Sequence, residues 1–441
     1  MSGQVRTIFL CLGLLSGTIV QTGCGLIKII SKPEAFVDNP KGVGKVIKAI
    51  EINGLSYTDE NFIREHLFSQ PGEIYDDGNN QEDFVQLDGL GIFSSIQFET
   101  REEGDEVVLV ITVSENVPWL PSIALSITDE NGVSIGPAVS FSNFMGKAMK
   151  LSASARFGGT TSYQATFLTP WYGDDRPQIS AQIYSLSRQN KLDDFYENSL
   201  EANLDILWDI GGDYRAGPRV TMIYMRSDTT GITHNDDNSD QSYGAGFFIG
   251  RDTRNLLSYP TQGSVLIFDA IRYEGSLRTL RSNFDFRLYF EPAKRHRLAL
   301  YTLFTFSSGD LITDIPVWAD FHIGGTNTVR GWELDSRRGK NQMLTVLEYG
   351  FMVLERKIVR ISKIQMDIGI QLAAFADVGS AWDEANEWEQ NLIAGAGVGI
   401  RLIIPTTGML RFDFAHGQPE IGIQFHIGSR ERASAQRFRV R

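Results

Sequence analysis

The chain of 441 residues is long enough for two or three ordinary domains, or for one large barrel with a small companion. Its formal net charge of -13 excludes nucleic acid as a partner, because binding phosphate needs a basic face. A mean hydropathy of -0.15, with no apolar run past the N-terminus near the ~20 residues of a spanning helix, excludes a helical membrane protein but not a barrel, in which only alternate residues face lipid.

Residues 1–23 read as an export signal: Arg6, the apolar stretch Thr7 to Val20, then Gln21-Thr22-Gly23 before Cys24. A cysteine after that small-residue pair matches bacterial lipoprotein signals, so Cys24 is a candidate for acylation, with ordinary signal-peptidase cleavage nearby as the alternative. Cys11 lies inside the signal, which leaves at most one cysteine afterwards, no internal disulfide and no zinc site of the Cys/His type. Residues 24–44, with Pro33, Pro40 and Gly42, form a linker.

Residues 45–117 read as a compact α/β unit. Val46 to Ile52 is a strand ending at the Asn53-Gly54 turn, and Thr58, three residues before Asn61, is the expected N-cap of a helix that buries Phe62, Ile63, Leu67 and Phe68. Pro71-Gly72 breaks that helix. A second helix is expected from about Asn80 to Leu90, burying Phe84, Leu87 and Leu90 and stopping at Gly91. Strands Ser94 to Arg101 and Glu106 to Val113 follow, joined at Glu103-Gly104-Asp105. This β-α-α-β-β order, with Ile50-Glu51-Ile52-Asn53-Gly54, Gly91-Ile92-Phe93 and Val113-Ser114-Glu115, resembles a POTRA domain.

From 118 to 428 segments of about ten residues alternate apolar and polar, separated by turn residues, as tilted membrane strands do. Leu200, Ala202, Leu204, Ile206 and Trp208 alternate with Glu201, Asn203, Asp205 and Asp209; Phe284, Phe286, Leu288 and Phe290 alternate with Asn283, Asp285, Arg287 and Glu291. About sixteen such segments imply a mainly β protein: a 16-stranded antiparallel transmembrane barrel, closed because lipid tolerates no free strand edge, behind one small α/β domain. Short connections at 174–177, at Gly211-Gly212-Asp213 and around Pro260 are expected on the periplasmic side. Gln189 to Asn198, Ser227 to Gln241 and Ser308 to Lys340 are expected to face outward.

Within the longest outward loop lies Gly324-Gly325-Thr326-Asn327-Thr328-Val329-Arg330-Gly331-Trp332, a lone arginine bracketed by glycines and bulky apolar residues. Its Val329-Arg330-Gly331-Trp332 tip resembles the loop motif of the POTRA-plus-barrel outer-membrane assembly family of the BamA/TamA type. Arg251-Asp252-Thr253-Arg254-Asn255 with Tyr259-Pro260-Thr261-Gln262-Gly263 resembles that family's turn between the eighth and ninth strands. There Asp252, Arg254, Pro260 and Gly263 are read as fixing a tight reversal. Phe375-Ala376-Asp377-Val378-Gly379 resembles its late-strand motif, and strand parity puts Asp377 on the lumen side with Asp367 and Gln371. The resemblance implies that Arg330 sits inside the barrel against Asp377, where a guanidinium meets a carboxylate in two parallel hydrogen bonds. Glu348, Arg401, Arg411 and Asp413 fall on the lumen face by the same parity and form a structural charged network. Glu420 to Ile427 is similar to the last-strand signal of outer-membrane proteins, and residues 429–441 are a basic periplasmic tail.

No nucleophile, metal or phosphate-loop pattern is found, so neither enzymatic activity nor a cofactor is expected. Asn235 to Asp240 lacks the glycine and distal glutamate of a calcium loop and reads as a solvated outer loop. The resemblance implies a protein of the bacterial outer membrane, POTRA domain in the periplasm, that inserts or translocates other proteins. Its partners would be the lipid bilayer, unfolded outer-membrane or secreted clients, and accessory periplasmic proteins or lipoproteins. The alternative is a secretion translocon or passive transport pore.

Overall fold

The structure, a computed structural model of the chain, describes residues 42–428 except 129, 170–176, 256–258, 362–363 and 405–407. The export signal, Cys24, nearly all of the linker, most of the 174–177 turn and the basic tail lie outside the described residues.

The N-terminal unit runs β1 (Val46–Asn53), α1 (Glu60–Arg64), α2 (Asp77–Leu90), β2 (Phe93–Glu103) and β3 (Glu106–Glu115). Its sheet has the order β1-β3-β2, with β1 parallel and β2 antiparallel to β3. Ile47, Ile50, Phe62, Ile63, Leu87, Ile96, Phe98, Leu109 and Ile111 build one core between the sheet and the helices. The outer edge of β1 is already occupied. Ile47 donates to Glu73 O and accepts from Gly72 N, each at 2.8 Å, and Tyr75 N donates to Lys45 O. No strand among the described residues pairs with the outer edge of β2.

Two local expectations change. The N-cap of α1 is Asp59, whose carboxylate accepts from Asn61 N at 2.9 Å, and Phe68 points to solvent. The five-residue helix is too short to carry the periodicity that the sequence suggested. By contrast α2 starts three residues earlier than expected, at a cap supplied by Asp76, and ends at Gly91 in the left-handed region, φ 69°.

Thr58 has another task. Its Oγ1 accepts from Asn143 Nδ2 at 2.8 Å, Asp59 N donates to Gly146 O at 2.9 Å, and Ala148 is buried within the N-terminal core. Residues 143–148 thus tie the barrel to this domain. The loop that meets them is held from behind by Glu115, which accepts from Ser56 N, Tyr57 N and Thr58 N at 3.0, 2.9 and 2.7 Å. Burial opposes ionisation of Glu115, but hydrogen bonds from Thr58, Ser56 and Tyr57 outweigh it and hold the carboxyl below its ordinary 4.5. A depressed carboxyl contributes stability that is full above its unfolded value and lost as pH falls through the folded value. Glu115→Gln is therefore expected to speed amide exchange at Ser56–Thr58 at pH 7. It should also remove the extra loosening of that loop on acidification below 4.5. An unchanged acid response in the variant would show that Glu115 does not anchor the loop.

The barrel strands follow in a meander: β4 (Trp119–Thr128), β5 (Gly132–Phe144), β6 (Met149–Gly158), β7 (Thr160–Leu168), β8 (Gln178–Asn190), β9 (Phe195–Asp209), β10 (Tyr214–Ser227) and β11 (Ser239–Asp252). Then come β12 (Gly263–Gly275), β13 (Thr279–Phe290) and β14 (His296–Ser307). The short hairpin β15 (Phe321–Ile323) and β16 (Arg337–Gly339) interrupts before β17 (Asn341–Ile361), β18 (Ile364–Trp382), β19 (Ile393–Ile404), β20 (Gly408–His416) and β21 (Ile423–Gly428). Leaving the hairpin aside, these form one 16-stranded antiparallel sheet in chain order. Alternation assigns the faces: Phe284, Leu288 and Phe290 of β13 point outward and are exposed, whereas Asp285 and Arg287 point inward and are buried.

Two boundaries differ from expectation. β8 and β9 continue through most of 189–198, leaving a four-residue connection rather than a long loop. The last strand begins at Ile423, because Glu420 to Gly422 belong to the preceding turn. Between Asp252 and Gly263 the chain reverses as expected, with Thr253 N donating to Ser264 O at 2.9 Å and Asn255 N to Gln262 O at 3.1 Å. Tyr259 is buried there against Met352, Ile403 and Met409 of the far wall and accepts from Gln371 Nε2 at 2.6 Å.

The first and last strands lie side by side, but no ladder joins β4 to β21 among the described residues. Instead Leu125 and Ile127 of β4 pack against Leu410 and Phe412 of β20. No helix among the described residues is long and apolar enough to cross a membrane.

Candidate functional site

The loop between β14 and β17 carries the site. Its first part caps the outer mouth. Ile315 and Trp318 pack on Ile223 and Met225 of β10 and Ile271 and Tyr273 of β12, and Trp318 Nε1 donates to Asp240 Oδ2 at 2.7 Å. Asp240 also accepts from His234 N and Asn235 N. Asp240, on β11, is buried rather than solvated, whereas Asn235, Asp236 and Asp237 are exposed as an outer loop should be. Arg338 on β16 pairs with Asp193 at 2.6 Å and with Asp320, so the hairpin is pinned to the neighbouring outer turn.

From this base the tip descends inside the wall, and Arg330 is wholly buried. Its Nε and Nη2 each donate to the Asp377 carboxylate at 2.8 Å, and its backbone N–H donates to Asp377 Oδ2 at 3.1 Å. Nη1 donates to Asp413 Oδ2 at 2.9 Å. Phe375, two residues before Asp377 and therefore on the same face of β18, lies under the guanidinium at 3.2 Å from ring centroid to Cζ.

The sequence treated the Arg330–Asp377 pair and the charged wall as separate features; the structure makes them one. Arg401 Nη2 donates to Glu348 Oε2 at 2.8 Å and Nη1 reaches Asp413, which Arg330 also binds. Arg411 Nη1 lies 3.8 Å from Asp413 and Arg330 Nη1 3.9 Å from Glu348. The carboxylates Asp377, Asp413 and Glu348 thus balance the guanidiniums Arg330, Arg401 and Arg411 within a buried volume, where an uncompensated charge would be costly.

Each motif neighbour has its own contact. Val329 is buried with Tyr301, Leu303, Leu344 and Val346, and Trp332 Nε1 donates to Ala394 O at 2.8 Å. Gly331 has φ 83°, and a Cβ there would lie 2.6 Å from the His416 carbonyl carbon. Conformation and space therefore both demand glycine. The wall below is equally bare: Gly395, Gly397 and Gly399 supply successive inward positions of β19, and a Cβ on Gly395 would meet Arg330 O at 1.9 Å. A run of alternate glycines within a strand was the available signal for this close approach.

The residues of the eighth-to-ninth turn lie apart from this cluster. Arg254 pairs with Asp252 through bonds of 2.9 and 2.6 Å. Pro260 serves through its carbonyl, which accepts from Arg297 Nε at 2.6 Å. A Cβ on Gly263 would lie 2.1 Å from Thr253 O. Arg297 also covers the Tyr259 ring, with Cζ 4.8 Å from its centroid. These residues close the turn and place Tyr259. Sequence reasoning missed the Tyr259 contacts because they are made with strands about a hundred residues further along the chain.

A wall of sixteen strands, greasy outside and charged within, with a POTRA-like domain below and a loop seated in the lumen, defines a POTRA-bearing transmembrane barrel. The chain belongs to the Omp85 superfamily. The Omp85 superfamily domain matches residues 143–430, and the POTRA model, surface antigen variable number repeat, matches residues 45–116. The outer membrane protein assembly factor BamA of Nitratidesulfovibrio vulgaris is 25% identical over 405 residues, covering 85% of this chain and 48% of that protein. The chain thus spans about half the length of this curated relative. Among solved structures, BamA from Haemophilus ducreyi lacking POTRA domains 1-3 has the same fold at a TM-score of 0.67 and 13% identity, over 87% of this chain and 83% of that one. CdiB from Acinetobacter baumannii follows at a TM-score of 0.58 and 15% identity, over 88% of this chain and 73% of that one. The barrel accordingly lies in the outer membrane with its POTRA domain in the periplasm.

Proposed function

We propose that this protein promotes the insertion of other barrel proteins into the outer membrane, using the junction of β4 and β21 as the working seam. The observation that carries this reading is the architecture itself, an Omp85 barrel with a loop seated in its lumen and a POTRA domain tied to it through residues 143–148. At the junction Leu125 and Ile127 pack against Leu410 and Phe412. The edge of β2 with which no described strand pairs would give an unfolded client strand a place to add before it reaches the barrel, and residues 143–148 tie this domain to the barrel. Accessory periplasmic partners fit the same surface. The reading needs no catalytic group or cofactor.

A passive pore is disfavoured by the lumen itself. Tyr259 packs across the inner end, the Arg330 tip lies against the middle of the wall, and the Trp318 segment packs at the outer end. Vesicles containing the protein are expected to speed the folding of a urea-unfolded barrel protein while showing no steady ion conductance. Depletion from cells should raise the level of unfolded outer-membrane proteins. Normal barrel levels with altered solute uptake would sink the assembly reading in favour of a transport pore. Normal barrel levels with loss of one secreted protein would favour a translocon.

A further inference from the structure

We propose that the loop tip is a clamp on the terminal hairpin β20–β21, with His426 and Gln418 as its positioning residues, so that displacing the loop frees the last strand at the seam. Both backbone groups of Gly331 are committed to that hairpin. Its N–H donates to His426 Nε2 at 3.1 Å, and its C=O accepts from Gln418 N at 2.8 Å. The two pieces interlock, because a Cβ on Gly331 would strike the backbone of His416 and Gly417 and one on Gly417 would strike the Trp332 ring at 2.5 Å. Glu333 N adds a longer bond to Gln418 Oε1 at 3.4 Å.

His426 is buried on the inward face of β21 and contacts the loop through both ring nitrogens. Nε2 receives the Gly331 proton, so in the neutral ring the hydrogen resides on Nδ1, which is 2.9 Å from Thr326 Oγ1 and donates to it. One side chain of the last strand therefore touches the loop on both sides of its turn. The described ladder of β21 with β20 covers six residues. Arg330, anchored on β18 and β20, fixes the tip, and Gly331 passes that fixation to β21 through His426.

The functional meaning rests on the seam reading above, but the clamp is tested without any client. Hydrogen exchange of the full chain in lipid vesicles is followed in peptides covering 423–428, with those of β13 as control. His426→Phe, which neither donates nor accepts, is expected to raise exchange in 423–428 roughly tenfold, as for buried hydrogen-bonding groups left without partners. His426→Gln keeps an acceptor for Gly331 and should restore most of the protection, whereas a space-filling role would not distinguish it from phenylalanine. If His426→Phe does not fold, Thr326→Val removes Oγ1 at nearly constant volume and should raise exchange in the same peptides by a smaller factor. Unchanged exchange in 423–428, or glutamine and phenylalanine behaving alike, overturns the clamp. Insertion of a client barrel measured in parallel separates the two ideas. A freed strand with unaltered insertion leaves the clamp standing and removes the seam from the insertion mechanism.

Discussion

Arg330→Ala is expected to destabilise the barrel by ~3–5 kcal/mol, the usual cost of removing one partner of a buried ion pair. The loss falls on Asp377. Asp413 keeps Arg401 and Arg411, and Glu348 keeps Arg401, but the Asp377 carboxylate loses both of its bonds to the Arg330 guanidinium. Asp377→Ala strands the guanidinium less completely, because Nη1 still reaches Asp413 at 2.9 Å. It should therefore cost less than Arg330→Ala. The double variant should cost less than the sum of the two, since the second substitution removes the charge that the first left uncompensated. Arg330→Lys should not rescue, because a point charge cannot span Asp377 in parallel bonds and reach Asp413 as well. Urea midpoints of the parent and the four variants in vesicles measure all of this. Additive single effects would show that the pair is not coupled, and a stable Arg330→Ala barrel that still inserts clients would remove the loop from the mechanism.

The second large effect runs against the ordinary rule for strands. Gly→Ala within a strand normally stabilises by ~0.5–1 kcal/mol, yet Gly395→Ala is expected to destabilise. Its Cβ would lie 1.9 Å from the Arg330 carbonyl oxygen, so loop backbone rather than a flexible side chain must give way, at ~1–3 kcal/mol for overpacking. Arg330 would then be lifted from Asp377 and Asp413 together. Gly399→Ala should act similarly by another route, because its Cβ would fall 2.1 Å from Asp413 Oδ1 and 2.7 Å from Arg401 Nη1. Val398→Ala, on the outward face of the same strand, is the control and should change little beyond lipid contact. Protease sensitivity of 324–332 reads the outcome directly. A Gly395→Ala barrel as resistant and as active as the parent would mean that the loop does not rest on β19 in the membrane.

Much of this architecture was legible in the chain. Alternation with period two gave the strands and their faces, because side chains on a strand must point alternately to lipid and lumen. It placed Glu348, Arg401, Arg411 and Asp413 inside without any knowledge of their neighbours. The POTRA core followed from the same logic in shorter form. What went astray were short-range choices: Asp59 rather than Thr58 as the cap of α1, and a long loop expected where β8 and β9 continue.

The sequence by itself determined which residues face the lumen and where the loop leaves the wall. Those are properties of local periodicity, decided within about ten residues. Only the tertiary structure decided that one guanidinium serves Asp377 and Asp413 at once, that Tyr259 crosses to Gln371, and that Gly331 grips His426. Each of those contacts joins residues at least 47 positions apart, brought together by closure of the wall. The loop found its place because β19 presents no side chain at the inward positions 395, 397 and 399. Periodicity can announce that gap, and only packing can say what fills it.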